Sequence, residues 1–162
     1  MTDILSAKKE FLEYIAGLNY KYELSKTITD DYYDPGMMEN LEQYKGIYNE
    51  KDNVIVLRFE AKGLRYENRT QNLEKLTVGE DIQIVREESN PYNQNNFCIR
   101  NKNDSLGCLP AELCNTFAPL YDNGYAVIQE SKVSYIEKIK ERSRYAKQGV
   151  LFIEITVKLR GV

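Results

Sequence analysis

The fold is decided at Val54-Ile55-Val56-Leu57-Arg58-Phe59, where the hydrophobic pattern takes on a period of two. This alternation, with β-branched residues in the run, is typical of a β-strand. At the start of the run both alternating sets are apolar, which predicts burial on both faces of the strand. From this strand onward we expect a mainly β chain.

Further segments downstream have the composition of strands. They are separated by turn residues such as Lys102-Asn103-Asp104 and Asp122-Asn123-Gly124, which favour chain reversal. The predicted strands are Asp81–Arg86, Asn96–Arg100, Leu106–Leu109, Tyr125–Gln129 and Val150–Leu159.

A single short helix is predicted among these strands. Pro110 fits its first turn, and Leu113, Phe117 and Leu120 share one helical face. Strand-helix-strand units do not recur, which argues against a doubly wound sheet. The sequence therefore predicts a mainly β, α+β fold: a small, partly open β-barrel of the OB kind over residues 53–162, preceded by a helical extension.

That extension, residues 1–52, is acidic and rich in tyrosine. Phe11, Ile15, Leu18 and Tyr22 recur at helical spacing, so we expect an amphipathic helix over about residues 3–24. A second helix is predicted over about residues 35–49, where Asp34-Pro35 is followed by an apolar stripe. Seven of the thirteen tyrosines lie in the first fifty residues, whose net charge is −5 against +2 for the remainder. Packing onto the barrel or onto a partner is favoured, because tyrosine is apolar at one end and polar at the other.

Composition narrows the class of function. The 162 residues include no histidine, which removes the commonest general base and the centre of Ser-His and Cys-His triads. The three cysteines form no C-x-x-C pair, so structural zinc is not expected. We therefore expect no catalytic residue, metal site or cofactor, and a protein that is not an enzyme.

The expected location is cytoplasmic, without membrane contact. No apolar run is long enough to span a bilayer, and Met1-Thr2-Asp3-Ile4 lacks the basic start of a secretion signal. The slight positive charge of residues 51–162 tolerates an anionic ligand, but it is far from the strongly basic face of a tight, nonspecific nucleic-acid binder.

Three elements, in order, resemble the HIRAN domain family. The first is Gly63-Leu64-Arg65-Tyr66 after the first strand. The second joins Leu76–Gly79 and Val85-Arg86-Glu87 to Asn90-Pro91-Tyr92-Asn93, which is similar to the N-P-Y-D turn of the family. The third is Leu106-Gly107-Cys108-Leu109-Pro110, which leads into the helix. The resemblance covers about residues 54–130.

The better-understood HIRAN domains are accessory domains of fork-remodelling ATPases, have an OB-like fold and capture the 3′ end of single-stranded DNA. By position, the resemblance implies that Arg65 contacts a phosphate and that Tyr66 and Tyr92 stack on terminal bases. It implies that Asn90 holds the backbone or the turn. Tyrosine offers a stacking face to any base, and arginine offers a fork for phosphate.

The sequence departs from the family pattern at three positions. Asn93 replaces the usual Asp that receives the terminal hydroxyl, Cys108 stands where a histidine can occur, and Ala111 where a lysine can occur. Asn93 and Cys108 remain candidate binding residues. Because Asn93 is neutral and can still accept a hydrogen bond, we hypothesise weaker discrimination of a free 3′-hydroxyl.

Structural interpretations of the same residues stay open. Arg65 and Tyr66 can simply fill a loop, and Tyr92 can pack on the barrel beside its turn. The basic run from Lys138 to Lys147 is either a solvated face or an edge that follows phosphates. Glu87 and Glu88 are adjacent and point to opposite faces of a strand, which argues against a metal-dependent nuclease.

Two functions from different classes follow. The first is a non-catalytic nucleic-acid-binding module, for single-stranded DNA or its 3′ end, acting in DNA repair or at replication forks. The chain contains no phosphate-binding G-x-x-x-x-G-K-[ST] loop, so we expect a helicase or ATPase partner to supply any motor. The alternative is a protein-interaction or oligomerisation module that uses the N-terminal helices.

Overall fold

The computed structural model describes residues 3–25, 44–138 and 149–161. In the first of these ranges, side chains are described only up to residue 19. Helices are α1 (Ile4–Ser25), α2 (Arg69–Leu73) and α3 (Ala111–Asp122). Strands are β1 (Lys45–Asn49), β2 (Val54–Glu60), β3 (Gln83–Glu87), β4 (Asn96–Asn101), β5 (Asp104–Cys108), β6 (Ala126–Glu137) and β7 (Val150–Leu159).

Two antiparallel sheets form the body. One has the strand order β1-β2-β7-β6 and the other β3-β4-β5. Isolated bridges join them where Lys62 meets Cys108 and where Asp81 meets Lys132. At both places where the sheets meet, a single β-bridge stands in place of a continuous ladder of hydrogen bonds. The described strands therefore form a partly open barrel. This confirms the predicted mainly β, OB-like class with a mid-chain helix.

The barrel core is made by the inward faces of both sheets together with α3. Leu57 and Phe59 of β2 alternate inward with Ile153 and Ile155 of β7, and all four are fully buried. Phe117 of α3 adds an aromatic ring to this core, 5.1 Å from the ring of Phe97. The helix predicted after Pro110 is confirmed, because its apolar stripe meets the open side of the sheets.

The predicted N-terminal helix is confirmed as α1, and Phe11, Ile15 and Leu18 of its apolar stripe are buried; the side chain of Tyr22 lies outside the described residues. The Phe11 ring lies 5.5 Å from that of Phe117, so α1 packs on α3. Asn19 donates from Nδ2 to the Gly46 carbonyl (2.7 Å) and accepts from the Gly46 N–H (3.1 Å). Its amide thus occupies the free edge of β1 as a neighbouring strand would.

The second predicted helix is wrong over residues 45–49, which form the edge strand β1; residues 35–43 lie outside the described part of the chain. Tyr44 and Tyr48, four residues apart, share one side of an extended chain as well as one face of a helix. Both pack against the core. The predicted division at residue 52/53 stays a prediction, although α1 and β1 contribute to the same core as the barrel.

The short helix α2 was not predicted. Its five residues are too few to show a hydrophobic period, and it follows two residues with left-handed backbone, Glu67 (φ 55°) and Asn68 (φ 62°). Hydrogen bonds from Arg69 and Asn72 to Ser105 hold α2 on β5.

Candidate functional site

A pocket of about 730 Å³ opens where three segments of the barrel meet. These are the loop after β2, the loop between β3 and β4, and the connection from β5 to α3. Five of the six predicted binding residues line this pocket: Tyr66, Asn90, Tyr92, Asn93 and Cys108. The other lining residues are Lys62, Gly63, Glu67, Arg69, Asn96, Leu109 and Ala111.

The loop between β3 and β4 contains a turn organised by Asn90. Its Oδ1 accepts hydrogen bonds from the backbone N–H groups of Tyr92 (2.9 Å) and Asn93 (3.0 Å). Pro91 restricts the backbone between Asn90 and Tyr92. The turn is therefore held by bonds from its main chain to the Asn90 side chain, and the Tyr92 side chain takes no part in them.

Tyr92 is 95% exposed. The interpretation that its ring packs on the barrel is therefore wrong. A large aromatic side chain with almost no protein contact, on a turn held by Asn90, leaves its ring accessible to a ligand.

Asn93 links the turn to α3. Its Oδ1 accepts from the Asn95 N–H (2.9 Å), and its Nδ2 donates to Asn115 Oδ1 (3.2 Å). Asn95 also donates to Asn115 Oδ1 (3.2 Å). The amide of Asn93 is thus engaged at both ends, which gives this side chain a structural task in the free protein.

Arg65 and Tyr66 form a unit on the opposite side of the pocket. Arg65 Nη2 donates to Tyr66 Oη (2.9 Å), and its guanidinium carbon lies 5.0 Å from the ring centroid. Tyr66 is 53% exposed. Arg65 does not line the pocket, but its contact with Tyr66 places a positive charge beside the tyrosine ring.

Arg69 holds this loop and was missed from the sequence. Its side chain is 11% exposed, and it donates to the Gly63 carbonyl (3.0 Å), to Ser105 Oγ (2.9 Å) and to Glu67 Oε2 (3.2 Å). Gly63 has a left-handed backbone (φ 76°), and an added Cβ would lie 2.7 Å from Arg69 Nη1. Its contact with Ser105 of β5 joins residues 36 apart in sequence, and no local pattern predicts that contact.

Asn96 is the second residue that was missed. Among the residues that the structure describes, Asn96 is the one polar residue that is buried, with 7% exposure. Its Nδ2 donates to Glu87 Oε1 (2.6 Å) and contacts Cys108 Sγ (3.5 Å). Glu87 Oε1 also accepts from Asn90 Nδ2 (3.4 Å). One carboxylate thus orients two asparagines of the pocket.

The end of β3 is fixed by Arg86. Its guanidinium makes two hydrogen bonds of 2.9 Å to the Asp122 carboxylate and one of 2.7 Å to the Gln94 carbonyl. Asp122 raises the pKa of Arg86 further above its ordinary value. This bidentate pair ties the loop between β3 and β4 to the end of α3.

Two of the three thiols have a reduced tendency to ionise. Burial raises the pKa of Cys114 to about 11 and also raises that of Cys98. Cys108 is partly exposed in the pocket. Because the thiolate is the reactive form, Cys98 and Cys114 are neutral at physiological pH.

Other predicted features lie elsewhere or outside the described residues. Lys138 donates to the Glu74 carbonyl (3.0 Å), and residues 139–148 of the basic run are not described. Within the described ranges, no three His, Cys, Asp or Glu residues are grouped to hold a metal ion. None of the described helices is both long and apolar enough to cross a membrane.

The sequence of the barrel matches the HIRAN domain family over residues 54–150. The chain therefore belongs to the HIRAN domain family, as its motifs indicated.

Two solved structures are similar to this chain. The HIRAN domain of human HLTF is 26% identical, with a TM-score of 0.46; the match covers 64% of this chain and 76% of that one. A protein from Lactobacillus plantarum is 21% identical, with a TM-score of 0.49, and the match covers 64% of this chain and 95% of that one. No curated protein matches this chain.

Proposed function

We propose that this HIRAN domain binds single-stranded nucleic acid in the pocket between its three loops, without catalysing a reaction. The ligand class is single-stranded DNA or its 3′ end, as the family resemblance implies. The observation that carries the proposal is the position of Tyr66 and Tyr92. They come from loops more than twenty residues apart, and both expose their rings at one pocket.

Stacking would supply much of the binding energy. Each base that stacks on an aromatic side chain gains about 1–3 kcal/mol, with little dependence on the base. Tyr92 loses almost no protein contact on binding because it has almost none. The turns that carry both tyrosines are held by Asn90 and Arg69, so little conformational entropy is lost when the ligand binds.

Positive groups near the tyrosines suit a phosphate backbone. Lys62 lines the pocket and its side chain is 53% exposed, 4.0 Å from Glu60. Arg65 lies on the ring of Tyr66. The helix α3 begins at Ala111 beside the pocket, and Pro110 provides no side-chain cap, so the first-turn N–H groups add partial positive charge.

We further propose that the domain acts in DNA repair or fork processing together with an ATPase partner. This rests on the family resemblance. A cytoplasmic location remains an expectation from the sequence.

The proposal is tested by fluorescence anisotropy with a labelled oligothymidylate. Wild type and Tyr66→Ala are compared at two salt concentrations, with a free 3′-hydroxyl and with a 3′-phosphate. We expect salt-sensitive binding that weakens in the variant. We also expect a small difference between the two ends, because Asn93 is neutral and its amide is already hydrogen-bonded. Absence of binding by the wild type at low salt would reject the proposal.

A second function, protein contact through α1, is favoured by one observation. Leu5 is 68% exposed and lines a shallow groove on α1 together with Leu12 and Ala16 and the charged residues Lys8, Lys9 and Glu13. An exposed apolar side chain rimmed by charged residues is compatible with protein contact. Size-exclusion chromatography with light scattering on wild type and Leu5→Glu tests it. A concentration-dependent dimer that the charge abolishes supports protein contact, and a monomer in both cases contradicts self-association.

A further inference from the structure

We propose that Cys98 and Cys108 are a thiol modification site, at which a small disulfide such as oxidised glutathione drives formation of a reversible cross-strand disulfide beside the pocket. The existence of this site is independent of nucleic-acid binding. Its consequence for binding rests on the function proposed above.

The pairing register places the two thiols together. Cys98 of β4 is directly opposite Cys108 of β5. Side chains of directly opposed residues point to the same face of a sheet. Of the two cysteines, Cys98 is 3% exposed and Cys108 is the more accessible.

The hydrogen bonds define the class of this pair. The N–H and C=O groups of Cys108 both bond to Lys62, at 2.9 Å each, and therefore point away from β4. The flanking bond runs from the Leu109 N–H to the Phe97 carbonyl (3.1 Å). Cys98 and Cys108 are thus a non-hydrogen-bonded pair, the class with Cα atoms about 4.5 Å apart. Disulfides require a Cα separation of roughly 4.4–6.8 Å, so a bond can form without moving the strands apart.

Access gives the two thiols different roles. Cys108 lines the pocket and meets the oxidant first. Its thiolate attacks one sulfur of glutathione disulfide, which forms a mixed disulfide and releases one glutathione thiolate. Cys98 then loses its proton and attacks Cys108 Sγ, and the second glutathione leaves. Two protein thiols are oxidised, and one disulfide is reduced to two glutathione molecules. Burial raises the pKa of Cys98, which slows the second step because less of this thiol is ionised.

Closing the disulfide changes the pocket. It draws Cys108 Sγ toward Cys98 and away from Asn96 Nδ2, now 3.5 Å distant. The same Nδ2 bonds to Glu87 Oε1 (2.6 Å), and Glu87 also holds Asn90. We expect the affinity for an oligothymidylate to fall by about threefold, the effect of weakening one modest hydrogen-bond contact.

Cys114 is the competing partner for Cys108. It lies on α3, is buried in the core, and its Sγ contacts the Leu109 carbonyl (3.6 Å) and Asn96 Oδ1 (3.9 Å). No strand register holds it opposite Cys108. We therefore expect it to stay reduced.

The test is to treat the protein with oxidised glutathione, alkylate the remaining thiols and map tryptic peptides by mass spectrometry. Cleavage after Arg100 and Lys102 separates Cys98 from the peptide that contains Cys108 and Cys114. We expect the two peptides to be joined in wild type and in Cys114→Ala, but not in Cys98→Ala, and to separate again with dithiothreitol. A bond within the second peptide, a lasting glutathione adduct on Cys108, or full alkylation of all three thiols would each overturn the proposal.

Anisotropy on reduced and oxidised protein then isolates the consequence for binding. We expect weaker binding after oxidation, recovery with dithiothreitol and no change in Cys98→Ala. Cross-linking without a change in affinity would overturn the effect on the pocket. If the reduced protein does not bind the oligothymidylate, the proposed function fails, whereas the peptide map still decides the disulfide.

Discussion

Replacement of Tyr92 by alanine separates binding from folding more sharply than any other change in the pocket. The ring is 95% exposed, and the turn is held by hydrogen bonds from the backbone of Tyr92 and Asn93 to Asn90. Alanine preserves those bonds. We therefore expect the free energy of unfolding to change by less than about 0.5 kcal/mol, the usual range for such surface positions.

The expected effect on binding follows from the stacking energy. Loss of one base stacked on Tyr92 costs about 1–3 kcal/mol. Since every 1.4 kcal/mol or so changes the dissociation constant tenfold, Kd should rise about 5- to 140-fold. The salt dependence should stay the same, because tyrosine neutralises no phosphate.

Anisotropy titration with an oligothymidylate measures Kd, and thermal unfolding followed by circular dichroism measures stability. Val78→Ala is the matched control, because Val78 is also a large exposed side chain, at 65%, and does not line the pocket. It should leave both Kd and Tm unchanged.

Two results would refute the reasoning. If wild type binds and Tyr92→Ala binds within about twofold of it, stacking on this ring does not contribute. If Tm falls by more than about 4 °C, the ring stabilises the folded protein by about 1 kcal/mol or more and is not free as the structure shows.

Three other changes test the site and its scaffold. Lys62→Gln should reduce the slope of log K against log salt by about 0.7, as for the loss of one phosphate contact on a single strand; an unchanged slope in the anisotropy titration would remove Lys62 from the interface. Gly46→Ala should destabilise the protein by about 1–3 kcal/mol, because the new Cβ would lie 2.5 Å from Ile15 Cγ2. In Gly17→Ala the added Cβ has no atom within 4 Å, so this change should instead stabilise α1 by up to about 1 kcal/mol. Urea unfolding measures the stability of both variants. Equal effects of the two changes would contradict the docking of α1 on β1. Burial raises the pKa of Tyr14 to about 12 from 10.0, so the folded state keeps a proton that the unfolded chain loses, and the contribution of Tyr14 to stability should be constant below pH 10 and fall from pH 10 to 12. Tyr14→Phe should flatten that fall in unfolding curves against pH, and an unchanged curve would show that Tyr14 is not responsible.

Local patterns were sufficient where an element is specified by its own residues. The alternation at residues 54–59 identified β2, and the spacing of Phe11, Ile15 and Leu18 identified α1. The strand predicted at Val150–Leu159 has the predicted ends. In each case the buried side chains recur with the period of the strand or helix. The order of apolar residues along the chain therefore predicts which of them are buried.

Where one sequence pattern is compatible with both a helix and a strand, the sequence alone did not decide between them. Tyr44 and Tyr48 are compatible with a helix and with a strand, and pairing with β2 decided for the strand. The sequence likewise did not decide whether Tyr92 is buried or exposed. A turn residue packs or points outward according to what the rest of the barrel places beside it.

By itself the sequence determined the mainly β class, the N-terminal and mid-chain helices, the HIRAN motifs and five of the twelve residues that line the pocket. Only the tertiary structure decided that the loops carrying Tyr66 and Tyr92 meet, that Arg69 and Asn96 hold them, and that Cys98 lies opposite Cys108. The physical reason is that turns and periods depend on neighbours along the chain, whereas contacts between loops depend on strand register and on the closure of two sheets, which join residues far apart in sequence.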